Sequence, residues 1–175
     1  MSDEAAWFGG DTPRTEDESR FLTALRAHGA GWRAAGLAPA DTRVLARIVP
    51  LHVQLDVPGL PPAHANLQLS YWTSGARATG VEGSWGDGYL LDSTVAGGLE
   101  VVGVPAGPEE LAGLAARWLA TQLAEPVEQA DWLDADGEVV ASRWTLARTG
   151  VEIGRRGAVP RRLRRRTEPR VTRVR

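Results

Sequence analysis

The stretch from Pro108 to Pro126 constrains the fold more than any other part of this chain. Leu111, Leu114, Ala115, Trp118, Leu119 and Leu123 recur at i, i+3, i+4, i+7, i+8 and i+12. That is one apolar stripe at helical period. Pro108 ahead of Glu109 and Glu110 suits a helix start, where a missing N–H costs nothing and free N–H groups favour carboxylates. Pro126 ends it. A helix with a single apolar stripe must bury it against another layer.

The flanking sequence supplies that layer. Leu51, Val53, Leu55 and Val57 alternate with His52, Gln54 and Asp56 between Pro50 and Pro58, which predicts a half-buried strand. Leu67, Leu69 and Tyr71 alternate with Gln68, Ser70 and Trp72 in the next one, closed by a Ser74-Gly75 turn. Arg43–Val49 reads as a preceding strand or a short helix after Asp41, with strand the leading reading, and short strands fit near Arg77–Glu82, Gly88–Asp92 and Leu99–Val104. Val127–Leu133 and Glu138–Leu146 flank Asp134-Ala135-Asp136-Gly137, a hairpin signal. Nearer the start, Thr15-Glu16-Asp17-Glu18 matches a capping box, and Phe21, Leu22 and Leu25 follow at helical spacing. A helix from Glu16 to His28 is predicted. Helix, strands, helix, hairpin is an α+β order. The expected fold is a mostly antiparallel sheet of about five to seven strands with two main helices packed on one face.

The length, 175 residues, fits one such domain. Residues 15–154 are read as that domain, preceded by an acidic leader (1–14) and followed by an Arg-rich tail (155–175). The leader is expected to be mobile. Its Trp7-Phe8 pair reads either as a docking peptide or as packing on its own domain. Residues 1–154 carry 21 acids and 10 Arg, a charge of −11; residues 155–175 carry 10 Arg and one acid, Glu168, a charge of +9. An acidic body with a basic tail suggests an anionic partner for the tail, or a tail folded back on the body.

Composition removes whole classes of chemistry. With no Cys there is no disulfide, thiolate ligand or thiol nucleophile. With no Lys there is no P-loop lysine and no Schiff base. The low counts of Lys, Asn and Ile beside 26 Ala and 20 Arg are what a high-GC bacterial genome produces, so Arg for Lys carries little functional meaning. The acidic start is unlike a secretory signal and no apolar run is long enough to span a bilayer, so the expected location is the cytoplasm.

Several motifs fail on inspection. Gly83, Gly86 and Gly88 lack the dinucleotide-binding spacing and no helix pattern follows them. Glu82-Gly83-Ser84-Trp85-Gly86 has Glu where a nucleophile elbow needs its first Gly, and His28, His52 and His64 all precede the Ser. In DWLDADGE, Trp132 and Arg143 stand where a calcium loop needs its first and last acids. No cofactor is expected. His52 and Asp56 share a strand face that His64 could join, a weak candidate for a metal or an acid–base pair.

Two features point to binding. Seven Trp are dense for this length. Trp72 shares strand parity with Gln68 and Ser70, and Trp144 with Val140 and Ser142, so Trp72, Trp144 and Trp85 are the candidate partner-binding residues. Arg161, Arg162, Arg164, Arg165 and Arg166 are the candidate phosphate-binding residues, without the interleaved aromatics that single-strand readout uses. The leading expectation is a non-enzymatic binding or accessory protein, immunity- or chaperone-like, whose acidic body docks a protein partner. The alternatives are nucleic-acid association through the tail, and a small-ligand or metal-dependent enzyme using His52, Asp56 and His64.

Overall fold

The computed structural model describes residues 6–47, 50–63, 65–73, 78–86, 98–159 and 168–175. In chain order the elements are β1 (Gly9–Gly10), α1 (Glu16–Arg26), α2 (Gly29–Ala34), a 3-10 turn at Pro39–Asp41, and β2 (Thr42–Leu45). Then come β3 (Leu51–Leu55), β4 (Asn66–Trp72), β5 (Gly80–Gly86), β6 (Leu99–Val102) and α3 (Pro108–Ala124). The chain closes with β7 (Val127–Leu133), β8 (Val139–Leu146), β9 (Glu152–Arg156) and β10 (Arg170–Arg173). The class is α+β. The predicted strand near Gly88–Asp92 and the Ser74-Gly75 turn lie outside the described residues.

Strands β1 to β6 form one sheet in sequence order, antiparallel except for the parallel β1–β2 pair. The register aligns Val53, Leu69 and Gly83 across three strands, and Leu55, Leu67 and Trp85 beside them. This face is apolar because strand side chains alternate and the sequence puts its Leu, Val and Tyr residues on one parity. Both long helices cover it. Phe21 of α1 stacks on Tyr71, ring centroids 4.3 Å apart and 8° from parallel. Trp118 of α3 lies over Gly83, where an added Cβ would come within 2.8 Å of the indole. Gly83 is therefore a close-approach glycine. The helices are clasped outside by Arg20, whose guanidinium donates to both Glu109 carboxylate oxygens at 2.8 and 3.0 Å.

The capping box forms as read. The Glu18 N–H donates to Thr15 Oγ1 at 3.1 Å, and the Thr15 N–H donates to Glu18 Oε2 at 3.3 Å. Glu18 is buried, and its carboxylate also takes the Arg14 guanidinium at 2.9 Å. Gly9 and Gly10 pair with β2, and Trp7 and Phe8 set their rings edge-on against Trp32 at 5.5 and 5.1 Å. Phe8 is fully buried, and Arg26 donates to the Trp7 and Phe8 carbonyls.

The expected hairpin is β7–β8, turning through Gly137 at φ +85°. It does not extend the first sheet. Sequence periodicity led to one sheet, but both outer edges of the hairpin are taken by later strands, giving a second, four-stranded antiparallel sheet in the order β10-β7-β8-β9. Val127, Trp144, Leu146 and Ile153 join the main core from this sheet, while Ala130, Trp132 and Ala141 form a small separate cluster. The Arg-rich stretch is partly built into it: Arg155 and Arg156 end β9, and β10 pairs along β7. Arg175 donates to the Leu123 and Ala35 carbonyls, satisfying an orphan acceptor at the end of α3.

Candidate functional site

The face of the first sheet turned away from the helices is polar by the same alternation. The register lines up His52, Ser70, Glu82 and Glu100 in one row, and Gln54, Gln68 and Ser84 in the next. Trp72 pairs with Gly80, and Gly80 with Val102, at the end of the face. His52 Nδ1 and Ser70 Oγ are 3.1 Å apart. Burial pushes the His52 pKa below the ordinary histidine range, so the ring is neutral at pH 7. Asp56 instead turns to Arg43 at 3.3 Å. Burial raises its pKa, Arg43 opposes that, and Asp41 adds to it. His64 lies outside the described residues. His52 and Asp56 thus have different partners and do not form an acid–base dyad. Among the described residues, no group of three or more His, Cys, Asp or Glu could hold a metal ion.

The three candidate tryptophans separate. Trp85 has the parity of Leu67 and Gly83, so it points into the helix-covered core, 2% exposed, with Nε1 donating to Gln122 at 2.9 Å. Trp144 is also interior, at 3% exposed, with Nε1 donating to Gln129 Oε1 at 3.0 Å. Trp72 alone of the three is partly exposed, on the polar face, its Nε1 donating to Glu82 Oε2 at 3.2 Å.

A second constellation had no sequence motif to announce it. Asp131 of β7 is 4% exposed and faces Ser142 of β8 across the ladder. Ser142 Oγ donates to Asp131 Oδ1 at 2.8 Å, and Gln129 Nε2 reaches both carboxylate oxygens at 2.8 and 3.0 Å. Arg170 of β10 stands 3.6 Å away. Burial by itself would raise the Asp131 pKa, but the hydrogen bonds from Gln129 and Ser142 and the charge of Arg170 outweigh it and hold the carboxyl below the ordinary range. A carboxylate held this firmly ionised is a poor general base near neutral pH. Its work is to fasten β10 and β8 to β7. A cavity of about 380 Å³ opens beside it, between Trp144, Arg156 and the Pro61-Pro62-Ala63 turn. The only signal that could have found this cluster is the shared parity of Gln129 with Asp131 and of Ser142 with Trp144, which is weak evidence on its own.

The candidate phosphate-binding residues Arg161, Arg162, Arg164, Arg165 and Arg166 lie outside the described residues. No helix among the described residues is long and apolar enough to cross a membrane. No protein-family model, curated protein or solved structure matches the chain.

Proposed function

We propose that this chain is a non-enzymatic binding or accessory protein of the cytoplasm, whose acidic body docks a basic protein partner through the Trp72, Glu82 and Glu100 end of the outer face of the first sheet, the His52, Gln54 and Gln68 part of that face being buried. The observation that carries the reading is the partly exposed Trp72 on a face that also bears Glu82 and the exposed Glu100. Tryptophan is enriched among the few residues that dominate interface energies, because a large rigid ring is buried at small entropic cost. The hydrogen bond to Glu82 holds this ring in one orientation. Carboxylates around it, on a body of charge −11 over residues 1–154, favour a cationic partner and speed its approach. An immunity- or chaperone-like role toward a basic protein fits this size and charge by analogy. The alternative, phosphate binding by the Arg-rich tail, is weakened at two positions, since Arg170 faces Asp131 and Arg175 is spent on backbone carbonyls.

The test is affinity capture from native lysate with wild type, Trp72→Ala and Glu100→Arg, followed by titration of the captured protein after purification. The reading expects a basic protein held by wild type and weakened at least about tenfold by each variant, with the melting midpoint kept. Capture unaffected by both variants, or capture that nuclease abolishes, contradicts it.

A further inference from the structure

The outer face of the second sheet carries two guanidinium groups where a strand pair ordinarily avoids them. The register sets Arg143 of β8 directly opposite Arg155 of β9. Both are exposed. Like charges directly opposite across adjacent strands destabilise the pairing. Neither is well neutralised. Arg155 reaches Glu152 at 2.9 Å, but its side chain is 76% exposed, so solvent screens the pair. Arg143 lies over the Trp132 ring at 5.4 Å, and among the described residues no carboxylate pairs with it.

The two groups line a groove of about 760 Å³. Trp132, Val159 and Pro169 give it apolar wall, and Glu152 and Glu168 line it as well, so a bound phosphate takes Arg155 over from Glu152. Gly157 leaves backbone bare there: its φ is +71°, and a Cβ would come within 2.6 Å of the Val140 carbonyl oxygen. The volume falls in the range of small-molecule sites, about 300–1,000 Å³. Guanidinium forks match phosphate oxygens two at a time. A phosphoryl group has oxygens enough for both forks, whereas one fork already occupies both oxygens of a carboxylate.

We propose that this groove is a phosphate site, in which Arg143 and Arg155 grip one phosphoryl group and the Trp132, Val159 and Pro169 wall takes the organic part of the ligand. The bound charge removes the repulsion between the two Arg. The site is independent of the Trp72 face. Its ligand is either a small phosphorylated molecule or the phosphodiester of a single strand.

The experiment uses the full chain. Inorganic pyrophosphate is titrated by calorimetry, and a fluorescein-labelled oligothymidylate of about 12 nucleotides by anisotropy in about 50 mM salt. At least one probe binds, and Arg143→Gln and Arg155→Gln each weaken it about tenfold while the melting midpoint stays within a few degrees. Pyrophosphate binding identifies a small phosphorylated ligand as sufficient; oligonucleotide binding alone identifies the strand. Three results overturn the proposal: neither probe binds, binding ignores both substitutions, or polyglutamate displaces the bound probe as well as unlabelled phosphate does.

Discussion

Tyr71 stacks its ring on Phe21, yet among the described residues its buried hydroxyl has no hydrogen-bond partner, and its pKa is pushed up to about 12, mainly by burial. An unsatisfied buried hydroxyl costs about 1–3 kcal/mol. Tyr71→Phe keeps the stack and removes the orphan, so urea unfolding is expected to give about 1 kcal/mol more stability than wild type. The tryptophans separate the same way. Trp85→Ala opens a core cavity and is expected to cost about 3–5 kcal/mol, whereas Trp72→Ala is expected to cost far less. His52 and Asp131 set the pH response. His52 resists protonation in the fold, so below about pH 6.5 the unfolded chain binds the proton first and stability falls. Asp131 is ionised more readily in the fold, so its contribution is complete above about pH 4 and is lost as acid protonates it. His52→Gln should flatten the decline just below pH 6.5 in a stability–pH series, and Asp131→Asn should flatten only the acid end. Strand parity made Trp72 legible as a polar-face residue. It also puts Trp85 inward, with Leu67 and Gly83, but the sequence reading did not use it there. For Trp144 the parity with Ser142 holds, but the polar Ser142 suggested an outward face, whereas that face is interior and buries Ser142 with Asp131 in a hydrogen-bonded cluster; only Val140 is set off from it, by the register shift between Trp132 and Leu133.

At the scale of elements, α3 was readable because its stripe is long and its ends are marked by Pro108 and Pro126. The β7–β8 hairpin was readable from alternating residues around an Asp-Gly turn. β10 was not. Arg-Val-Thr-Arg is exposed at every position, so it has no buried parity to read, and its place depends on backbone bonds to β7, on Asp131 and on Arg175. The same holds for β1, two glycines placed by the burial of Phe8 beside them. Arg175 joins β10 to the helix layer through charged hydrogen bonds to the Leu123 and Ala35 carbonyls. Arg175→Ala is expected to destabilise by about 1.5–3 kcal/mol in urea titration, and to raise amide exchange along β7 and β10 more than along β3 and β4. Equal exchange in both sheets would remove this role from Arg175.

At the scale of the molecule, two sheets share one core but present different chemistry. The outer face of the first carries Trp72 among carboxylates, and that of the second carries Arg143 and Arg155 beside Trp132. The charge division between the parts of the sequence was legible from counting alone. How the fold would use it was not, because strands β9 and β10 bring basic residues onto the body that the count treated as a tail. The most direct measurement is photo-crosslinking from Val102, which lies on the Trp72 face, compared with Thr121 on the exposed side of α3. A photoreactive residue at each position, irradiated in cells and read by mass spectrometry, reports which surface meets a partner. The account predicts one basic protein attached through position 102, absent from position 121, and lost when Trp72→Ala is added. Equal attachment at both positions, or attachment at 102 that survives Trp72→Ala, would contradict it.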